Sequence, residues 1–370
     1  MAEKRVTMSD IAERLGLSVN AISLALNDRV GVSEETRKKV LKLAEELGYL
    51  DQNEKYTITY ANKNICLMLE HRFFRDMHFY GRVLLGAESA AREAGYDLLV
   101  NSFAQNSEMI PACVENRKVA GIVVLGKILD SHLEKLKSYG IPVVLVDHIS
   151  LNQSTDCIVT DNKSGTYKLT KYLIQNGFQK IGFFGDIQYS PSVRERFWGY
   201  QEALQDFMGF ESFEKSMEYV ELYSGLNKVE DYVVSNDTKS MEDAFLSIKE
   251  KPEALICSND RLAIMLCQVL SDMGYRVPED ISIVGFDDIE MSKMVIPQIT
   301  TVHVYKSEMG KKGIQRLIYR MEHPKAEFEK KVMDVQIVER DSVKKKTDQE
   351  KKRTRNNRGK RILKTGKGRL

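Results

Sequence analysis

The sequence lacks the features that mark exported, membrane-spanning or disulfide-stapled proteins. Only five cysteines occur among 370 residues, scattered and mostly in apolar stretches, as expected for buried thiols of a reducing cytoplasm and not for a disulfide framework or a zinc site. No apolar run approaches twenty residues, although 42% of the residues are hydrophobic, so we expect a soluble chain that spans no membrane. No charged-then-apolar leader opens it, and we therefore expect a cytoplasmic protein.

Catalytic signatures are missing as well. The six histidines are dispersed without the spacing of metal ligands, and the sequence contains no Gly-x-Ser-x-Gly motif, no P-loop and no glycine-rich dinucleotide turn. Acidic pairs such as Asp287-Asp288 could imitate a carboxylate dyad, but they lie where helix caps or cleft residues belong. We therefore expect neither an enzyme nor a bound metal or cofactor.

Charge is distributed unevenly behind a net value of +2. Thirteen of the 55 lysines and arginines lie between Lys344 and Arg369, where only two acidic residues oppose them, so the rest of the chain is acidic. The segment 343–370 is basic and free of aromatic residues, which predicts a disordered, solvated tail. Non-specific attraction to nucleic acid is the alternative role for it.

Residues 7–49 have the pattern of three short helices. Thr7 and Asp10 have capping-box spacing, Gly16 ends the first helix, and Ser18 and Ser33 can cap the second and third. Two helices joined by a tight turn that contains glycine form a helix-turn-helix, which predicts a small all-α DNA-binding domain over residues 1–50. Any small bundle with capped helices is the alternative.

The second of these helices would be the one that enters the major groove. A recognition helix enters with its N-terminus first, so Ser18, Val19, Asn20 and Ser23 would face base edges or phosphates. Asn20 can in principle bond an adenine edge with two hydrogen bonds, and Val19 could contact only a thymine methyl group.

From residue 64 onward, short apolar runs alternate with amphipathic stretches. This pattern predicts parallel sheets that are covered by helices on both faces, and two such series indicate two doubly wound lobes with a cleft between them. The predicted strands are 65–69, 96–100, 121–125, 143–146, 180–185, 217–222, 254–257 and 281–286. The predicted helices are 81–95, 107–117, 130–139, 163–176, 194–208, 239–249 and 260–273.

Ligands of such sheets lie beyond the carboxyl ends of the strands, and that rule selects polar residues at these positions. Each of them could instead cap the helix that follows. The residues selected are Asp147, Asp186, Asn259, Asp260, Asp287 and Asp288.

Several motifs resemble the LacI/GalR family of bacterial repressors, over about residues 6–342. In the first domain the resemblance rests on Thr-Met-x-Asp-Ile-Ala at 7–12, Leu-Ser-Val-Asn-Ala-Ile-Ser-x-Ala-Leu-Asn at 17–27, and Val-Ser-x-x-Thr-Arg-x-x-Val at 32–40. Further along, the landmarks of the family's effector domain occur in order at 159–162, 177–182, 194–204, 258–263, 277–288 and 300–302.

The resemblance implies operator DNA as a partner and a homodimer that binds a pseudo-palindrome. Leu24 departs from the arginine that is usual there, so one polar contact to DNA is missing. The linker 51–63 departs as well, with Asp51-Gln52 and Lys55-Tyr56 in place of the usual pairs, and Ile58 is either a minor-groove wedge or the first residue of a β-rich linker. The DNA-binding residues proposed on this basis are Thr7, Ser18, Val19, Asn20, Ser23, Asn27 and Ile58.

The resemblance also implies a small-molecule effector in the cleft, clamped by Arg196 and Asp260. Forked donors and carboxylate acceptors suit vicinal sugar hydroxyls, and arginine alone equally suits a carboxylate or phosphate, so a sugar or sugar phosphate is expected. His78-Phe79-Tyr80 would stack an aromatic ring on it, unless these are core aromatics. The candidate effector-binding residues are His78, Phe79, Tyr80, Asp147, Arg196, Asn259, Asp260 and Asp287.

Together these features predict an effector-controlled repressor of carbohydrate-utilisation genes. Its two-lobed domain would cover 64–342, with lobe 1 at about 64–161 and 291–321 and lobe 2 at about 162–290 and 322–342. The alternatives are a regulator activated by a co-repressor or a phosphoprotein partner, a solute-binding receptor, and a ligand-binding protein with poor DNA specificity.

Overall fold

The N-terminal domain is a bundle of three helices. The structure is a computed structural model, described here for residues 6–27, 31–50, 63–75, 77–104 and 107–346. The helices are α1 (Met8–Leu15), α2 (Val19–Leu26) and α3 (Glu34–Glu46). Their buried residues form a separate small core, which includes Ile11, Ile22, Leu26 and Val40.

The predicted caps of this domain are present. Asp10 N donates to Thr7 Oγ1 while Thr7 N donates to the Asp10 carboxylate, which completes a capping box. Gly16 is left-handed at φ 62° and turns the chain into α2, and the hydroxyl of Ser18 accepts from Ala21 N at 3.1 Å. The helix-turn-helix predicted from the sequence is therefore confirmed.

A six-stranded parallel sheet forms the core of the first lobe. Its order is β10-β5-β4-β3-β1-β2, and the burial of both faces explains why the central strands are continuous apolar runs. The strands are β1 (Asn64–Glu70), β2 (Asp97–Phe103), β3 (Gly121–Leu125), β4 (Val143–Val146), β5 (Asp156–Thr160) and β10 (Lys330–Met333). The helices of this lobe are α4 (Tyr80–Glu93), α5 (Ala112–Glu115), α6 (Asp130–Lys137) and α13 (Lys306–Glu322).

The second lobe contains a three-stranded parallel sheet, β6-β7-β8, extended by single bridges to Gly225 and Thr300. A two-stranded antiparallel pair, β9-β11, continues from it. The strands are β6 (Ile181–Phe184), β7 (Ala254–Cys257), β8 (Ser282–Val284), β9 (Thr301–His303) and β11 (Gln336–Val338). The helices are α7 (Asn162–Gln175), α8 (Pro191–Met208), α9 (Phe213–Tyr223), α10 (Val229–Ser235), α11 (Thr238–Leu246) and α12 (Asp260–Asp272).

The chain passes between the lobes three times, and two predicted boundaries move. Residues 291–303 stay with the second lobe, because Thr300 pairs with β8 and the return to the first lobe begins at α13. The segment 322–342, predicted to lie in lobe 2, contains two strands: β10 pairs with β5 in the first lobe, and β11 pairs with β9. Several crossing segments suit a hinge between the lobes.

One predicted strand is wrong. Residues 217–222 lie in helix α9, where Ser212 caps the first turn and the buried residues Ser216, Val220 and Tyr223 recur at helical spacing. The short, mostly apolar segment alone could not distinguish a strand from a buried helix face.

The predicted basic tail begins later than residue 343. Val343 is buried, Lys344 N donates to Ser282 Oγ at 3.1 Å, and Lys346 Nζ donates to Gly177 O at 3.0 Å and lies over the Phe178 ring. Residues 343–346 therefore pack against the second lobe, and the rest of the predicted tail lies outside the described residues. Within the described ranges, no helix is long and apolar enough to cross a membrane.

Candidate functional site

The N-terminus of α2 presents an exposed surface of the kind that DNA recognition requires. Ser18, Val19 and Asn20 are all exposed, and the apolar side chain of Val19 is 44% exposed. An exposed valine next to an exposed amide offers a methyl contact and a hydrogen-bonding edge side by side. The structure therefore leaves these three predicted DNA contacts available.

The remaining predicted DNA contacts are more constrained. Ser23 is partly buried, and the Asn27 amide donates to Ser23 O at 2.7 Å, which ties Asn27 to its own helix. The Thr7 hydroxyl is exposed but is engaged in the capping box. Ile58 lies outside the described residues.

A cleft of about 810 Å³, counting the part open to solvent, lies between the two lobes. The first lobe and the second lobe each contribute part of its wall, at the carboxyl ends of their strands, where the rule for parallel sheets places ligands. Six of the eight predicted effector residues line it: Phe79, Tyr80, Asp147, Arg196, Asn259 and Asp287.

Arg196 is held rigidly on α8. Its Nε donates to Asn162 Oδ1 at 2.9 Å, and its two terminal nitrogens donate to Ser258 O at 2.6 Å and Asp287 Oδ1 at 2.9 Å. The guanidinium also lies 3.8 Å from the centre of the Phe286 ring. A buried arginine with all these partners has one orientation, so it can act as a fixed donor at the cleft wall.

In the first lobe, a hydrogen bond joins two residues of the cleft wall, Tyr80 and Asp147. The Tyr80 hydroxyl donates to Asp147 Oδ2 at 2.8 Å. Burial raises the pKa of Asp147 to about 7, although this hydrogen bond and the charge of Arg196 oppose the shift. Asp147 has a left-handed backbone, at φ 60°. A carboxyl group that changes charge near neutral pH therefore faces the cleft.

Asp287 connects the cleft to the helix that returns to the first lobe. Its carboxylate accepts from Arg196, while its carbonyl oxygen accepts from the Lys306 ammonium group at the start of α13. The same ammonium group donates to Asp288 O at 3.1 Å. Both aspartates have positive φ, at 110° and 51°. Any shift of this turn would therefore be transmitted directly to α13.

Asp260, predicted to clamp the effector with Arg196, does not line the cleft. Its carboxylate accepts from Thr301 Oγ1 at 2.5 Å and from Ile289 N at 2.9 Å, and it is fully buried. Burial raises the pKa of Asp260 to about 8. The preceding residue, Asn259, lines the cleft instead and caps α12 through Leu262 N. The prediction that Asp260 clamps the effector is therefore corrected: its carboxylate forms hydrogen bonds inside the second lobe.

His78 is also outside the cleft. It is exposed, whereas Phe79 and Tyr80 turn inward at the start of α4. Because the chain changes direction here into a helix, neighbouring side chains point to different surfaces.

Sequence reasoning missed several residues of the cleft wall. Lys127 follows β3, so the strand-end rule is the signal that could have found it. Glu230 and Val233 lie on α10, which was not predicted. The other missed residues of the wall are Arg72, Phe73, Tyr189, Ser190, Pro191, Ser192, Val193, Val234 and Arg261.

Comparison with known families matches both parts of the chain. Residues 7–52 match the model of bacterial regulatory proteins of the lacI family, and residues 170–343 match the periplasmic binding protein-like domain. Residues 7–52 are therefore similar to the regulatory proteins of the lacI family. The chain combines a helix-turn-helix domain with a two-lobed α/β domain.

Relatives share this organisation over nearly their whole length. The HTH-type transcriptional repressor PurR of Vibrio vulnificus (strain CMCP6) is 29% identical over 353 residues, which cover 92% of this chain and 99% of that protein. PurR of Mannheimia succiniciproducens is 26% identical over 346 residues, which cover 92% and 99%.

Solved structures of lacI-type regulators share the fold. A transcriptional regulator CelR in complex with cellobiose superposes with a TM-score of 0.65 at 23% identity, covering 91% of this chain and all of that one. The Lac repressor dimer bound to operator and the anti-inducer ONPF gives a TM-score of 0.62 at 22% identity, covering 92% and 99%.

Proposed function

We propose that this protein is a cytoplasmic, homodimeric repressor whose operator binding is controlled by a small sugar-like effector in the interlobe cleft. The observation that carries the proposal is the wall formed by Arg196, Asn259 and Asp287, which offers fixed donors and acceptors at the carboxyl ends of the second lobe's strands. Such a set suits the adjacent hydroxyl groups of a sugar.

The helix-turn-helix supports the DNA half of the proposal. One such domain contacts few phosphate groups of the DNA, so tight binding requires two domains on a pseudo-palindrome. Dimerisation is therefore part of the mechanism. The relatives are transcriptional repressors, and the Lac repressor structure is a dimer on its operator. These likenesses support the same assembly here.

The effector acts by favouring one arrangement of the lobes. A ligand shifts an equilibrium only by its difference in affinity between the two states, so the sugar must bind better to the dimer that cannot hold the operator. Closure around a ligand would move the Asp287 turn, and Lys306 would carry that movement to α13.

A selection of binding sites from random duplex DNA tests the proposal. We expect the purified full-length protein to enrich a pseudo-palindrome, and we expect one sugar from a panel to abolish the enrichment. Enrichment that requires a sugar would show a co-repressor instead. Retention of DNA without sequence preference, lost steeply with salt, would contradict the repressor and point to the basic tail.

A further inference from the structure

The cleft wall contains cationic side chains that have no hydrogen-bond or ion-pair partner among the described residues. Arg196 is bound by protein acceptors, and Arg72 pairs with Glu70 at 2.9 Å. Lys127 and Arg261 also line the cleft, and neither side chain forms a hydrogen bond or an ion pair with any residue of the described ranges. Both are only partly exposed. Both side chains are therefore available to bind a ligand in the cleft.

The acidic groups of the cleft, in contrast, are all engaged. Asp287 is paired with Arg196, and Asp147 accepts from the Tyr80 hydroxyl. Glu230 accepts from Ser258 Oγ at 2.5 Å and from Asp186 N at 2.7 Å. Burial raises the pKa of both Asp147 and Glu230 to about 7, which removes part of their negative charge at neutral pH. The accessible charge of the cleft is therefore positive.

The N-termini of two helices add to the positive charge of the cleft. The first residues of α8, from Ser190 to Ser192, line the cleft, and so do Asn259 and Arg261 at the start of α12. Helix N-termini carry partial positive charge and favour anions. They reinforce the two unused cations.

We propose that the effector carries an anionic group, a carboxylate or a phosphate, which Lys127 and Arg261 bind while its hydroxyl groups face Arg196, Asn259 and Asp287. This inference rests on the proposed function of the cleft as the effector site. Lys127 follows β3 of the first lobe and Arg261 belongs to α12 of the second. An anion held by both therefore joins the lobes and favours the closed arrangement.

Calorimetry with matched ligands tests the inference on the full-length protein. The probes are glucose, glucuronate and glucose 6-phosphate, and the corresponding galactose series. We expect one anionic sugar to bind at least about tenfold more tightly than its neutral counterpart, as a charge-assisted contact would give. Whether the acid or the phosphate is preferred identifies the source of the anion.

Two variants locate the contact. Lys127→Gln and Arg261→Gln should each weaken binding of the anionic sugar by about tenfold and leave the affinity for the neutral sugar unchanged. Lys118→Gln, which removes an exposed lysine outside the cleft, is the matched control and should change neither.

The outcomes separate this inference from the proposed function. Equal binding of neutral and anionic sugars would overturn the anion site and leave the sugar effector intact. Equal losses for both ligands in the Gln variants would also overturn it. Binding of no sugar in either form would overturn the proposed effector class and this inference together.

Discussion

At the scale of single residues, the cleft depends on side chains that are fixed before a ligand arrives. Arg196 has three protein acceptors, and Asn259 is both a helix cap and part of the wall. Removing Arg196 would break its buried ion pair with Asp287, and breaking a buried ion pair typically costs about 3–5 kcal/mol in stability. A variant that changes the cleft but keeps the local structure is therefore a clearer test of effector binding than the removal of Arg196.

Asn259→Asp provides such a probe. Aspartate caps a helix about as well as asparagine, so the free energy of unfolding should change by less than about 1 kcal/mol. The amide that donates to Ser258 Oγ at the cleft wall is replaced by a carboxylate, and we expect affinity for the effector to fall at least about tenfold by calorimetry. Arg194→Ala, an exposed residue of α8 outside the wall, is the control and should bind normally. Unchanged effector affinity in Asn259→Asp would contradict the assignment.

Asp147 gives a prediction on pH and stability. Its pKa is about 7 in the folded protein and ordinarily 3.8, so between these values the native state holds a proton that the unfolded state has lost. The free energy of unfolding therefore falls as pH rises through this window, by at most about 1.4 kcal/mol per pH unit for one group.

Asp147→Asn removes that titration without straining the backbone, because asparagine tolerates the left-handed conformation found here. Urea denaturation at pH 5.5 and pH 8 should show a smaller loss of stability in the variant than in the wild type. Buried histidines contribute equally to both proteins. Parallel stability profiles would show that Asp147 titrates normally.

At the scale of elements, local patterns account for most of the secondary structure. The helix caps, the left-handed glycine and the buried β-branched runs determine α1, α2 and most of the sheet strands, and these elements lie where the sequence predicts them. Prediction failed where a pattern had two meanings. Residues 217–222, which are apolar apart from two glutamates, fit a strand and a helix face equally, and only packing on the neighbouring helix and sheet decides between them.

The cleft was predicted only in part, for a similar reason. The strand-end rule selects Asp147, Asn259 and Asp287, which line the cleft, but it cannot tell which of two adjacent residues points outward. Asn259 and Asp260 differ by one position, and the start of α12 turns the first into the cleft and the second into the core. Residues contributed by unpredicted elements, such as Glu230 on α10, could not be found at all.

Leu24 gives a prediction for the recognition helix α2. It is partly buried, with Cδ1 close to Gly31, and it replaces an arginine that the family resemblance leads us to expect. Leu24→Arg should restore a contact to DNA, raise operator affinity by about tenfold and steepen its salt dependence by about one phosphate contact. Leu24→Met, which adds no charge, should behave as the wild type in the same anisotropy titrations. If Leu24→Arg left both the affinity and the salt slope unchanged, this position would not face DNA.

At the scale of the whole molecule, DNA and effector bind to different domains, so control requires a mechanical link. The chain crosses between the lobes three times, and Lys306 binds carbonyl groups of the cleft turn from the first turn of α13. Rearrangement of the lobes would therefore alter the spacing of the two helix-turn-helix domains in a dimer. The half-site spacing of a pseudo-palindrome is fixed by the DNA helix, so a small change in domain spacing is enough to weaken binding.

Control of operator binding through the cleft is tested by measuring operator affinity with and without the sugar. Operator affinity is measured by fluorescence anisotropy for the wild type and for Asn259→Asp, with and without the sugar selected by binding. We predict that the sugar weakens operator binding at least about tenfold in the wild type, and that the variant, which binds operator normally, needs at least about tenfold more sugar for the same effect. An equal effect of the sugar on both proteins, or none on the wild type, would contradict control of the operator through this cleft.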